Sequence, residues 1–167
     1  MNLLDTVRQS FGDAVEDTHD YLGDATVLVA RDSLHDVLRR LRDEDGFRFN
    51  VLMDLTAVDY LGRSPRFEVV YHLASIEVDP RGSDPARLRQ RLRVKVGVPE
   101  DDCQVASCVD LWPAANWMER EVWDLYGVRF TGHPDLRRIL LYDRFEGHPL
   151  RKDYPKERRQ PLVGPRN

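Results

Sequence analysis

At Phe47 the hydrophobic period of this chain changes from three-and-four to two, and that switch restricts the fold more than any other feature. Before it, Leu4, Val7, Phe11 and Val15 recur at helical steps and predict an amphipathic helix over residues 2–16. A β-branched run from Thr26 to Ala30 reads as the first strand. Leu34, Val37, Leu38 and Leu41 form a second helical stripe, with Asp32 and Ser33 offering N-cap oxygens and Gly46 placed to close it. After the switch, Phe49, Val51, Met53 and Leu55 alternate along a strand. A Gly/Pro turn at residues 61–65 leads into a second strand over residues 67–73, and antiparallel pairing is the simplest closure. Residues 89–96 set Arg89, Arg91, Arg93 and Lys95 against Gln90, Leu92, Val94 and Val96, a strand with one cationic and one mostly apolar face. No period of 20–50 residues repeats. The expected fold class is α+β: a two-layer domain with helices packed on a mostly antiparallel sheet, followed by an extended C-terminal segment.

A chain of 167 residues holds one sizeable core. Its apolar runs stop at three or four residues, such as Ile139-Leu140-Leu141, far short of the ~20 that cross a bilayer. The N-terminus has no basic and apolar leader pattern, which favours the cytoplasm. Net charge is −4, unevenly spread: residues 1–128 carry 15 Lys+Arg against 24 Asp+Glu, and residues 129–167 carry 10 against 5. An acidic body of −9 therefore ends in a basic segment of +5, which could face nucleic acid, acidic lipid or an acidic protein surface. No helix-turn-helix, RRM or KH pattern supports nucleic acid. Cys103 and Cys108 lack the two further cysteines of an iron–sulfur site and read as ordinary thiols. His72 lies in a strand and reads as structural. The stretch from Asp79 to Pro85 is a polar loop, and Pro161 and Pro165 suggest an extended tail.

Residues 111–155 differ in kind. All three tryptophans, Trp112, Trp117 and Trp123, fall in the first thirteen. From Pro113 the pattern is helical, with Ala115, Met118, Val122, Leu125 and Tyr126 on one face and Gly127 in place to stop it. Glu119, Arg120, Glu121 and Asp124 alternate in sign, and Arg120 can reach Asp124 one turn on. Glu119 and Glu121 point to different faces, which spoils a paired-carboxylate site. Two echoes follow: Gly132-His133-Pro134-Asp135 before Leu136, Arg137 and Arg138, then Gly147-His148-Pro149 before Leu150, Arg151, Lys152, Asp153 and Tyr154. Neither histidine has zinc-site spacing, and there is no Walker A, G-x-G-x-x-G or G-x-S-x-G motif.

Three stretches, Trp117-Met-Glu-Arg-Glu-Val-Trp-Asp-Leu-Tyr-Gly127, Gly132-His-Pro-Asp-Leu-Arg-Arg-Ile-Leu140 and Phe145-Glu-Gly-His-Pro-Leu-Arg-Lys-Asp-Tyr-Pro155, resemble the signature of the C-type subunit of the proton-translocating NADH:quinone oxidoreductase, respiratory complex I. Leu52-Met-Asp-Leu-Thr-Ala-Val-Asp-Tyr60 and Phe67-Glu-Val-Val-Tyr-His-Leu73 extend the likeness upstream. Related hydrogenase and reduced-deazaflavin dehydrogenase assemblies carry similar modules. The resemblance implies a hydrophilic, non-catalytic subunit of the peripheral arm on the cytoplasmic side of the bacterial plasma membrane. It implies a chain with no cofactor of its own, the flavin, iron–sulfur clusters and quinone lying in partner subunits, and packed against the larger D-type subunit beside the quinone site. Many relatives run on or are fused to that D-type subunit, whereas this chain closes soon after the signature. The implied organisation is a body over residues 1–128, including the signature helix, and a basic strap over residues 129–167. On that reading Arg137, Arg138, Arg151 and Lys152 pair with partner carboxylates, while Leu136, Leu150 and Tyr154 fill partner pockets.

Overall fold

The computed structural model describes residues 2–79 and 85–161, so most of the expected polar loop and the end of the tail lie outside the described residues. Helix α1 (Leu3–Phe11) starts where the Asn2 side chain accepts the Leu4 N–H, and it buries Leu4, Val7 and Phe11. It stops short of the expected residue 16 because the chain turns at Gly12, and Val15 opens a strand instead, β1 (Val15–Tyr21). That strand is polar on both faces and is held by backbone pairing to β2 (Asp24–Val29). A strand of this kind leaves no apolar alternation to read.

Helix α2 (Leu34–Asp43) buries Leu34, Val37, Leu38 and Leu41 as its stripe requires. Neither expected cap is used: Asp32 and Ser33 lie in a 3-10 turn and make no capping bond. Its C-terminus is closed by Glu44, whose N–H reaches the Arg40 carbonyl and whose own carbonyl accepts from Phe47 and Arg48. Gly46 is not the closing residue.

Strands β3 (Val51–Asp59), β4 (Phe67–Glu77) and β5 (Arg87–Val98) pair antiparallel in succession, and the five-stranded sheet runs β1-β2-β5-β4-β3. The one parallel junction in this sheet joins β2 to β5 over three residue pairs, Thr26–Arg93 to Leu28–Lys95. The two-layer α+β class is thus as expected from the sequence. One sheet face supplies the core, with Val27, Val94, Val96, Val69, Tyr71, Leu73, Leu55 and Ala57 all buried with the helix stripes. Each large apolar side chain among them contributes about 1.5–3 kcal/mol on leaving water. Register places Thr26, Arg93, His72 and Asp54 in one row of the opposite face, with a Lys95–Glu68 ion pair at 2.8 Å beside it.

A second unit was not legible in the sequence. Strands β6 (Gln104–Ala106) and β7 (Arg129–Thr131) pair in parallel, and helix α3 (Ala115–Tyr126) connects them and packs against β3. Three-residue strands are too short to show a period. From residue 132 to 161 the chain has turns but no helix or strand.

Candidate partner-docking site along the signature helix

Helix α3 ends where the pattern predicts, with Gly127 in the left-handed region at φ 77 and its N–H on the Trp123 carbonyl. A Cβ there would also lie 2.6 Å from the His148 ring and 2.7 Å from the Arg151 guanidinium, so this position needs glycine for both reasons. The helix turns the expected apolar face to the core, with Met118 and Tyr126 packed at its edge, and it buries two carboxylates as well. Ala115 and Val122 are buried, but so are Glu119 and Asp124, while Met118, Leu125 and Tyr126 are only half-buried. Two carboxylates of the alternating-charge run are fully enclosed, and each has an identifiable task.

Glu119 closes the β6–α3 loop by accepting the Cys108 N–H and the Ser107 hydroxyl, both at 2.7 Å. Burial pushes its carboxyl above the ordinary range, and those donors only partly oppose the shift. Cys108 is buried beside it and its thiol is pushed up by burial and by Glu119; Cys103 is half-buried, and both cysteines are free. Glu121 remains exposed, so the two glutamates do face apart.

Asp124 holds the C-terminal segment. One carboxylate oxygen accepts three consecutive backbone N–H groups, from Ile139, Leu140 and Leu141, at 2.9–3.1 Å. The other takes the Arg138 guanidinium at 2.6 Å. Burial alone would raise this carboxyl; the three amides and the guanidinium outweigh it and hold it below the ordinary aspartate value. The expected Arg120–Asp124 pair does not form, because Arg120 instead donates to the carbonyls of Arg137 and Arg138.

The segment lies along α3 from its first turn to its last. His133 donates from Nε2 to the Asn116 carbonyl and accepts the Asp135 N–H at Nδ1, which fixes its tautomer and uses both nitrogens. His148 uses Nδ1 on the Asp124 carbonyl and sits edge-on to Trp123; burial holds it below the ordinary imidazole value. The Leu150 N–H reaches the Leu125 carbonyl, and Arg151 donates to the Tyr126 carbonyl while its guanidinium covers the Phe67 ring. Gly147, at φ 89, faces the Tyr154 ring, which stacks on Phe145. Pro134 and Pro149 each follow a histidine in these turns, while Leu136 is half-buried and Arg137 pairs with Asp135.

The strap then crosses to the sheet. Arg66, 3% exposed, forks onto Asp59 through two bonds of 2.9 Å, takes Asp153 at 2.6 Å and Glu100 at 2.5 Å, and the Lys152 N–H closes on Asp59. Asp59, Arg66 and Glu100 were not singled out from the sequence; an arginine preceding the apolar run at Phe67 was the available signal. Arg66 holds the carboxyls of Asp59 and Asp153 below the ordinary value of 3.8. Depressed carboxyls stabilise the fold above their unfolded values and lose that contribution as pH falls through the folded ones. Lowering the pH below about 4 is therefore expected to release the strap from the sheet. Hydrogen exchange measured peptide by peptide should then show residues 147–154 opening before β4.

Arg138 and Arg151 thus turn inward, against the expectation that they serve partner carboxylates. The outward groups are Lys152, Lys156, Arg144, Leu140, Leu150 and, on α3, Trp117 at 70% exposure. A hollow of about 490 Å³ opens among Pro149, Leu150, Arg151, Lys152, Tyr154 and Lys156. Among the described residues no three His, Cys, Asp or Glu side chains converge as metal ligands, and no helix is long and apolar enough to cross a membrane.

Residues 27–160, which include every one of these anchors, match the family described as the respiratory-chain NADH dehydrogenase 30 kDa subunit. The chain belongs to this family. It is 45% identical over 160 residues to the C-type NADH-quinone oxidoreductase subunit of Citrifermentans bemidjiense, covering 95% of this chain and 92% of that protein. Against the same subunit of Roseiflexus sp. strain RS-1 the identity is 47% over 153 residues, with 92% and 82% covered. Among solved structures, a trypsin-resistant fragment (1–134) of Nqo5 superposes with a TM-score of 0.64 at 34% identity, covering 81% of this chain and all of that one. A chain of a membrane-bound sulfane sulfur reductase, an archaeal respiratory membrane complex, shares the fold with a TM-score of 0.73 at 24% identity, over 93% and 85% of the two chains. As in its 30 kDa relatives, this chain is a subunit of a multisubunit quinone-reducing oxidoreductase.

Proposed function

We propose that this chain is a non-catalytic scaffold subunit of the peripheral arm of an NADH:quinone oxidoreductase, facing the cytoplasm. On this reading its strap, already seated along α3, presents a docking surface to the larger D-type subunit. The observation that carries the proposal is how the signature residues are used. Glu119, Asp124, His133, Arg138, His148 and Arg151 spend their donors and acceptors on this chain's own backbone and side chains, which suits holding a shape better than moving protons. Flavin, iron–sulfur and quinone chemistry then belongs to partner subunits. An apolar hollow rimmed by Lys152 and Lys156 suits a partner segment that pairs a carboxylate with an apolar side chain.

The test avoids the buried anchors. Leu150→Glu combined with Lys152→Glu and Lys156→Glu changes only exposed side chains, so the isolated chain should keep its thermal stability. In the assembled complex the same variant should lose co-purification with the D-type subunit by at least about tenfold. Normal recovery of a complete, active complex would remove the docking role from this surface. The likeness to the sulfane sulfur reductase chain supports a second reading, in which the same module serves a complex fed by another electron donor.

A further inference from the structure

The strap leaves one feature of the sequence unused, the cationic face of β5. Strand β4 flanks β5 along its length, from the Phe67–Val98 pair to the Glu77–Arg87 pair. On the other side β2 pairs only over Arg93 to Lys95. Among the described residues, therefore, residues 87–92 of β5 have a strand on one side and none on the other. Such an edge offers backbone N–H and C=O groups over six residues, a normal strand length.

Its side chains have a definite sign. Arg87 and Arg89 are exposed and, among the described residues, have no ion-pair or hydrogen-bond partner. Arg91, 67% exposed, has only a 3.5 Å approach to Asp24, and Arg93 approaches the same carboxylate at 3.3 Å. Elsewhere the body is acidic, with 24 Asp+Glu against 15 Lys+Arg over residues 1–128. Arg89 is also the extra residue of a β-bulge, between the Ser75–Gln90 and Ile76–Leu88 pairs, which re-aims the side chains beside it. The edge ends at an open hollow of about 510 Å³ lined by Gly23, Asp24, Met53, His72, Arg91 and Arg93. Met53 and Leu88 are more than half exposed.

We propose that residues 87–92 of β5 accept an extended acidic segment of a neighbouring polypeptide as an added strand in line with β2. Backbone pairing supplies the register; the bulge at Arg89 leaves Arg91 and Leu88 on one face and Arg87 on the other, so carboxylates on both faces of the segment meet the forks of Arg91 and Arg87, with Arg89 between them. An apolar residue of the segment lies against Leu88 or enters the hollow beside Met53. Charge on an edge strand also blocks pairing with copies of itself. Arginine does so while still selecting an acidic strand, and the two roles separate in experiment.

The probe is an eight-residue peptide of Glu with two central Val residues, which carries carboxylates on both faces, titrated against the full chain, with hydrogen exchange read across β5. Binding in the millimolar range or tighter is expected, with amide protection confined to residues 87–92. Reversing Arg87, Arg89 and Arg91 to Glu should weaken it at least about tenfold, and N-methylating alternate peptide amides should do the same by removing the strand bonds. The reversed residues are exposed, so an unchanged circular dichroism spectrum confirms an intact fold. No binding, undiminished binding of the N-methylated peptide, or equal binding of a single-stranded oligonucleotide would each overturn the proposal, the last two by reducing the edge to a general polyanion patch.

Discussion

Replacing Asp124 by asparagine is expected to destabilise the chain by about 3 kcal/mol and to loosen residues 132–154 from α3 while the five-stranded sheet stays folded. The carboxylate is fully buried and serves four donors, three amides and the Arg138 guanidinium. An asparagine side chain has the same shape but presents an NH₂ group to one set of these donors and no charge to the guanidinium. Arg138 is itself only 13% exposed, so it is left as a largely buried cation with the carbonyls of Asp124, Phe145 and Gly147 and the Trp123 and Phe145 rings as neighbours, and no carboxylate. Urea denaturation gives the energy, and limited proteolysis should place the new cleavage sites within residues 132–154. A variant with wild-type stability and no new cleavage would mean that the three-amide cradle is not what fixes the strap.

The second large effect is expected at Arg66. Leucine at this position leaves Asp59, 2% exposed, with only the Lys152 N–H as a partner. Breaking a buried pair from one side costs about 3–5 kcal/mol, a large part of the stability of an ordinary domain. Removing both charges, as Asp59→Asn with Arg66→Met, should recover most of that loss, because no uncompensated charge then remains inside. The double variant should still lose the link from Asp153 to the sheet, and hydrogen exchange at residues 150–154 reads that separately. If the double variant were no more stable than Arg66→Leu, shape and not charge would be the main contribution of the pair.

What was legible in the sequence follows from where apolar residues report. Stripes on α1 and α2 and the alternation along β3, β4 and β5 were visible because each element has one face in the core. Strand β1 was missed because its side chains are mostly polar and it is held largely by backbone pairing, and β6 and β7 because three residues carry no period. At the signature helix, sequence reasoning singled out residues that the structure brings together, and assigned several of them other surroundings. Glu119 and Asp124 look like surface charge when the helix is read by itself, and Arg138 and Arg151 look like groups for a partner. Their partners, mostly backbone groups, lie 7 to 25 residues away, which side-chain spacing cannot display. Arg66 and Asp59 were harder still, since their meeting with Lys152 and Asp153 spans about 90 residues.

That separation sets an order on how the molecule assembles itself. The strap's first anchors need only α3, which lies close by in the chain, but its last anchor needs the β3–β4 hairpin. Closing the longest loop comes after the nearer contacts have formed. During synthesis the residues that make this closure also leave the ribosome after the sheet and α3. The outward surface around Leu150 and Lys152 therefore acquires its final form only on a chain whose sheet and helix are already in place, and any neighbour that reads it is in effect inspecting finished copies.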